Sequence, residues 1–314
     1  MKSDLIEKEK MAIERLKAFA PKNGEKYWLA YSGGKDSDAI RILAALADVP
    51  HEIHHNLTTV DAPETIQYIK SIPGVQIDKA RYADGSPKTM WNLIPKKRIP
   101  PTRLARYCCG ELKEGGGKGH VVITGVRWEE SSNRKENQGV ITMIGKPKDT
   151  ERFLEENNIN YRQTKRRGYA LNYDNELLNN NNDTLRQCFR TRKTMLNPIV
   201  DWTESDVWAF LKHYGCSGNP LYYCGDSRIG CIGCPLAGAR QQKKEFARCP
   251  KYKALYIKAF QRMIDKRKDD GRFLNEAWKT GEEVFRWWLG EDVNQLTLFA
   301  EEELNEVLAD MNLL

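Results

Sequence analysis

The chain has 314 residues, enough for one large α/β domain with an appended piece. Fifty Lys and Arg against 43 Asp and Glu give a net charge of +7, and 30% charged residues with a mean hydropathy of −0.66 exclude a membrane-embedded protein. The positive balance suits polyanionic partners, with nucleotides, sulfonucleotides and nucleic acids all qualifying.

Met1 to Ala20 interleaves charges with Leu5, Ile6, Ile13, Leu16 and Phe19, the pattern of an amphipathic helix rather than of a signal peptide with an apolar centre. A cytoplasmic location is therefore expected, where eight cysteines stay reduced and serve metal binding or catalysis rather than disulfides. Lys26 to Tyr31 reads as a buried strand, followed by a glycine turn and a helical pattern from Lys35 to Ala47. The alternation continues with a strand at His51–Leu57, a helix at Pro63–Ile69, and strands at Val75–Tyr82 and His120–Thr124. Such repetition predicts an α/β fold, a doubly wound and mainly parallel sheet. From Asn157 to Lys193 the pattern weakens into a polar stretch, read as an insertion or mobile loop. Thr203 and Asp206 form an N-cap ahead of a helix through Trp208 and Leu211, and helices are expected over Gln241–Lys268, Arg272–Leu289 and Glu301–Leu313. The expected organisation is a nucleotide-binding α/β domain over 1–156, a polar basic insertion over 157–196, and a helical, cysteine-containing extension over 197–314.

In Ser32-Gly33-Gly34-Lys35-Asp36-Ser37 the two glycines let the backbone turn tightly against an anion, while the following helix aims unpaired N–H groups and its positive dipole end at phosphate. Ser32, Lys35 and Ser37 add donors. The order differs from the Walker pattern, which needs a longer loop and a terminal Lys-Ser or Lys-Thr. Guanidinium groups at Arg127 and Arg134 suit phosphate or sulfate, or else surface ion pairs. Asp61 and Glu64 suit Mg2+ or a ribose, and Glu64 also suits a helix N-terminus. Tyr107-Cys108-Cys109 and Gly230-Cys231-Ile232-Gly233-Cys234-Pro235 supply the second constellation. Adjacent Cys108 and Cys109 sit awkwardly on one tetrahedral ion but can ligate different irons of a cluster, which favours [4Fe-4S] over structural Zn2+ or a redox dithiol.

The hexapeptide resembles the loop of the N-type ATP pyrophosphatases, the PP-loop superfamily of adenine nucleotide alpha hydrolase-like fold, and of the related phosphoadenosine phosphosulfate (PAPS) reductase family. Val60-Asp61-Ala62-Pro63-Glu64-Thr65 resembles that family's acidic segment, and Ile123-Thr124-Gly125-Val126-Arg127 with Glu130, Ser131 and Arg134 its second nucleotide-side loop. The paired cysteines are similar to those of iron–sulfur sulfonucleotide reductases, whose cluster sits beside the nucleotide. The resemblance implies that Ser32 to Ser37, Asp61, Glu64, Gly125, Arg127 and Arg134 bind ATP or a sulfonucleotide with Mg2+, that Lys35, Asp36 and Arg127 act in catalysis, and that Cys108, Cys109, Cys231 and Cys234 hold the cluster. Cys224 or Cys249 can replace Cys108 in that set.

Sulfonucleotide reductases attack sulfur with a cysteine in a C-terminal Glu-Cys-Gly; here the last cysteine is Cys249. The leading expectation is therefore an ATP-cleaving, adenylating sulfurtransferase, supplied by a cysteine desulfurase or another sulfur donor. A sulfonucleotide reductase releasing sulfite, and a non-catalytic nucleic-acid-binding or assembly subunit, are the alternatives. DNA or RNA would meet Arg162, Lys165, Arg166, Arg167, Arg186, Arg190, Arg192 and Lys193, with Tyr161, Tyr169 and Phe189 available for stacking. No membrane partner is expected.

Overall fold

A computed structural model describes residues 3–21, 24–144, 150–156, 160–164, 168–171, 193–272 and 278–291. The chain divides into two compact units, each assembled from separate stretches. The first comprises Met1–His55, Pro63–Ile77 and Gly116–Ile229; the second comprises Asn56–Ala62, Asp78–Gly115 and Gly230–Leu314. No described helix is long and apolar enough to cross a membrane.

The sheet is mostly parallel, as the alternating pattern predicts. Its strands are β1 (Tyr27–Ala30), β2 (His51–Leu57), β3 (Val75–Lys79), β4 (Val121–Ile123), β5 (Ile141–Ile144), β6 (Arg162–Thr164), β7 (Gly168–Leu171) and β8 (Lys193–Leu196), in the order β3-β2-β1-β4-β8-β5-β7-β6. β2 and β4 flank β1 in parallel and β8 continues in parallel from β4, whereas β5, β7 and β6 extend the sheet antiparallel. Tyr27 and Leu29 face the core from β1, while Trp28 and Ala30 are only half-buried, the period of two expected of a strand.

Helices α1 (Ser3–Ala18), α2 (Lys35–Leu46), α3 (Pro63–Ser71), α4 (Met90–Lys97), α5 (Ser132–Asn137) and α6 (Thr150–Glu156) precede α7 (Glu204–His213), α8 (Ala239–Arg248), α9 (Pro250–Asp269) and α10 (Gly281–Trp288). Ile40, Leu43, Ala44 and Ala47 follow helical spacing along α2 and its C-cap, and all are buried. They join Leu16, Phe19, Ile123, Leu196, Trp202 and Phe210 in the core of the first unit, where each large apolar side chain contributes about 1.5–3 kcal/mol on burial. The second unit is built on aromatics: Tyr256 and Trp288 lie 4.9 Å apart by ring centroid, and Phe246 and Phe285 5.0 Å.

Several sequence boundaries shift. The stretch read as an insertion or loop contributes β6, β7 and the start of β8, whose three- or four-residue lengths leave too few positions for alternation to show. Nor did β5 and α6 emerge from the pattern. The strand expected to reach Tyr82 stops at Lys79. The helix expected over Gln241–Lys268 is two, because Pro250 has no N–H to continue α8 and instead begins α9. Of Arg272–Leu289, Gly281–Trp288 is helical, opened by a Thr280 hydroxyl that accepts from Glu283 N–H. The expected N-cap at Thr203 is present, its hydroxyl accepting from Asp206 N–H. Glu301–Leu313 lies outside the described residues.

Arg15 fastens α1 to the segment after β8. Its guanidinium donates to both Asp201 carboxylate oxygens at 2.8 and 2.7 Å and to Pro198 O at 2.8 Å, with the side chain buried. Arg15→Met should lower stability by about 2 kcal/mol, the worth of charge-assisted hydrogen bonds. A lower urea midpoint at unchanged slope would show it, and a midpoint equal to that of the parent would exclude the clamp.

Candidate active site

The Ser32–Ser37 segment joins β1 to α2 at the carboxyl end of a parallel strand, where α/β sheets present ligand-binding loops. Gly33 has φ +72°, and a Cβ there would lie 2.9 Å from Ile69 on α3, so both conformation and space require glycine. Ser37 locks the turn: its hydroxyl donates to Gly34 O at 2.7 Å and accepts from Gly34 N–H at 3.1 Å. That buried hydroxyl therefore shapes the loop, whereas Ser32 remains exposed. The first intrahelical donor is Asp38, whose N–H reaches Gly34 O at 3.0 Å.

Lys35 is buried, with its ammonium 3.3 Å from Glu204 and 3.5 Å from Asp36. Asp36 also accepts from Arg127 Nε at 2.6 Å, and Arg127 Nη1 donates to Glu129 at 2.7 Å. These contacts join the loop to the segment after β4, which comes so close that a Cβ on Gly125 would stand 2.8 Å from Asp36 O. Arg134 pairs with Glu130. Burial pushes its guanidinium below its ordinary value; nearby Glu130 opposes this and Arg228 reinforces it. The structure thus brings Lys35, Asp36, Gly125 and Arg127 together, with Arg134 on the adjoining α5.

Behind the loop, Asp38 is fully buried and accepts from Tyr31 Oη at 2.6 Å and Tyr68 Oη at 2.9 Å. Burial raises its carboxyl above the ordinary carboxylate value, and the two phenol bonds oppose the shift. Glu64 lies in the first turn of α3, with Oε2 buried and unpartnered among the described residues.

Asp61 belongs to the second unit with the cysteines. Its carboxylate accepts from Thr58 N–H at 2.8 Å and its backbone bridges to Cys231. Cys108, Cys109, Cys231 and Cys234 share this unit, and Cys108 lies within electrostatic reach of the other three. A hydrogen bond from Cys108 lowers the Cys109 thiol to about 6, with Lys113 and Arg106 adding to the effect, and raises the Cys108 thiol. Burial raises Cys231. Cys109 opens one π-helical turn, Cys109–Lys113. The Cys231–Cys234 loop is clamped at Gly233, whose N–H donates to Glu245 at 2.8 Å and whose carbonyl accepts from Gln242 at 3.1 Å. Among the described residues, no three His, Cys, Asp or Glu side chains gather closely enough to hold a single metal ion.

Cys249 is buried between α8 and α9, and Cys224 is exposed in the first unit. Tyr169, expected to stack bases, is a core residue packed edge-on against Tyr161 at 5.4 Å. Arg162 donates to Lys135 O at 2.8 Å. Lys165, Arg166, Arg167, Arg186, Cys188, Phe189, Arg190 and Arg192 lie outside the described residues, as does the side chain of Lys193. Sequence reasoning missed Glu204, Arg228, Tyr222 and Asn219. Asn219 is fully buried and donates to Gly33 O at 3.0 Å and Thr65 Oγ1 at 3.1 Å, so it pins the loop from 186 positions away.

Residues 26–237 match the phosphoadenosine phosphosulfate reductase domain. An uncharacterised protein of Methanocaldococcus jannaschii is 25% identical over 291 residues, 88% of this chain and 59% of that protein. The adenosine 5'-phosphosulfate reductase of Burkholderia cepacia is 51% identical over 41 residues, 13% of this chain and 16% of the enzyme. The crystal structure of phosphoadenylyl-sulfate reductase from Candida auris, a phosphate complex, aligns at 13% identity and a TM-score of 0.42, over 74% of this chain and 96% of that one. The chain spans less than two thirds of the length of these two curated relatives.

Because the crowding at Gly125 is backbone on backbone, Gly125→Ala should cost about 1–3 kcal/mol, whereas Gly115→Ala, with open space around it, should cost little. Equal denaturation midpoints for the two variants would show that the approach is not tight.

Proposed function

The chain belongs to the phosphoadenosine phosphosulfate reductase domain family, and on that premise we propose that it is an adenylating enzyme that cleaves ATP between the α and β phosphates and transfers sulfur to the activated acceptor. The observation that carries this reading is the loop itself. A buried Lys35 and the first-turn N–H groups of α2 surround a glycine turn that Gly125, Arg127 and Ser37 hold in shape. Such preorganised donors stabilise negative charge as it develops on a phosphate without having to reorganise.

In the proposed reaction an acceptor oxygen attacks the α-phosphate and pyrophosphate departs. Lys35 must then leave Glu204 and Asp36 for a phosphate oxygen, an exchange of one anion for another. Arg127, tied to Asp36 and Glu129, positions the loop, and Arg134 with Arg228 adds positive charge for the nucleotide's phosphates. Glu64, whose Oε2 is buried without a partner among the described residues, would supply a carboxylate ligand to Mg2+, which would offset charge on the departing pyrophosphate when bound.

The donor set Cys108, Cys109, Cys231 and Cys234, whose thiols lie within electrostatic reach of Cys108, would hold a [4Fe-4S] cluster, which would supply sulfur or redox chemistry when bound. Lys113 compensates this negative group: its ammonium is raised above its ordinary value by Cys231 first and by Asp61 next. Glu245 and Gln242 keep the loop folded so that its two thiols present together. Outside this set Cys224 is exposed and Cys249 buried, so a sulfur donor such as a cysteine desulfurase would reach Cys224.

Lys35→Ala should weaken ATP binding by roughly 10- to 100-fold in a calorimetric titration, the loss expected of hydrogen bonds to a charged group, while leaving the melting temperature near that of the parent. Unchanged ATP affinity would remove the basis for the phosphate-loop reading. After anaerobic purification, Cys231→Ser and Cys234→Ser should each lose most of their bound iron by mass spectrometry, and Cys216→Ser should keep it. Equal iron in all three would show that the loop holds no cluster.

A further inference from the structure

A group outside the motif occupies the mouth of the phosphate loop. Asn219 caps the short turn Pro220–Tyr222, its Oδ1 accepting from Leu221 N–H at 3.0 Å, while its amide holds Gly33 O and Thr65 Oγ1. This anchorage delivers the Tyr222 phenol to the N-terminus of α2, where Lys35 N–H donates to its oxygen at 2.9 Å. The ring packs edge-on against Trp208 on α7 at 4.9 Å, and the Lys35 ammonium lies 5.8 Å from the ring centroid. The phenol oxygen is thus placed from two sides on the backbone donor that a phosphate oxygen would seek.

Tyr222 is half-buried, and its own O–H finds no acceptor among the described residues. Burial raises the phenol above its ordinary value, so the proton stays in place at neutral pH. A hydroxyl that accepts from an amide is also polarised into a better donor, because successive hydrogen bonds reinforce one another. An unfilled donor at the positive end of a helix, with the Lys35 ammonium close by, matches what a phosphate oxygen requires.

We propose that Tyr222 is a nucleotide-contacting residue whose hydroxyl relays the Lys35 amide outward and donates to a phosphate oxygen of the bound nucleotide. The inference rests on the reading of the loop as a phosphate site. It adds a neutral, oriented donor to the cationic ones, supplied by a segment 187 positions away in sequence. Such a donor selects for phosphate oxygens, whether in a nucleotide or in free pyrophosphate, and has nothing to offer an adenosine that lacks them.

The test is Tyr222→Phe in the full chain, which keeps the ring against Trp208 and removes only the hydroxyl. Titrations with inorganic pyrophosphate, ATP and adenosine should give about tenfold weaker binding for the two phosphate probes and unchanged binding for adenosine. Unchanged or tighter pyrophosphate binding would overturn the proposal, since the phenol would then compete with the phosphate for the Lys35 amide instead of donating to it. An equal loss for adenosine would also overturn it, because the hydroxyl would then be shaping the loop. If Lys35→Ala weakens ATP binding and Tyr222→Phe does not, only this proposal fails. If the parent protein binds none of the three probes, the phosphate-site reading fails and this inference with it.

Discussion

The first turn of an α-helix carries N–H groups that the helix cannot satisfy, and at α2 the surrounding structure is built on that deficit. Ser37 folds back to satisfy Gly34 and fix the turn, and the Tyr222 phenol accepts from Lys35. Gly33 must be glycine for the chain to enter the helix, and Gly125 must be glycine for the next strand's loop to approach it. Arg127 then joins the two loops through Asp36. On the proposed reading, an anion here would meet oriented dipoles and a buried lysine now paired with Asp36 and Glu204.

The second unit solves a different electrostatic problem. Four thiols in one unit cannot all be charged without compensation, and Lys113 supplies some of it. Phe246, Tyr256 and Trp288 pack together beside the Cys-x-x-Cys loop, where a Cβ on Gly233 would meet all three, and Tyr256 donates to Ile232 O at 3.0 Å within the loop.

The β1–loop–α2 unit was legible because glycines, a strand period and a helical period stand next to one another over some twenty residues. The paired cysteines were legible for the same local reason. Asp61, expected at Mg2+ or the ribose from its acidic segment after the second strand, also accepts from Thr58 N–H and bridges through its backbone to Cys231, a long-range contact with no local signature. Tyr222, Asn219 and Glu204 had no local signature: each meets the loop across more than 150 positions, and a lone Tyr or Asn in a turn looks the same with or without such a partner. β6 and β7 were missed because strands of three and four residues, paired antiparallel, leave too short a pattern to read.

Amide hydrogen exchange of the segment Tyr31–Asp38, followed with and without ATP and Mg2+, tests the account most directly, since exchange reports on the N–H groups themselves. If phosphate takes the donors of this segment that Ser37 and Tyr222 do not already hold, exchange there slows markedly on adding ATP and returns to the unliganded rate in Lys35→Ala. Protection that appears elsewhere in the chain while Tyr31–Asp38 exchanges as before would contradict it.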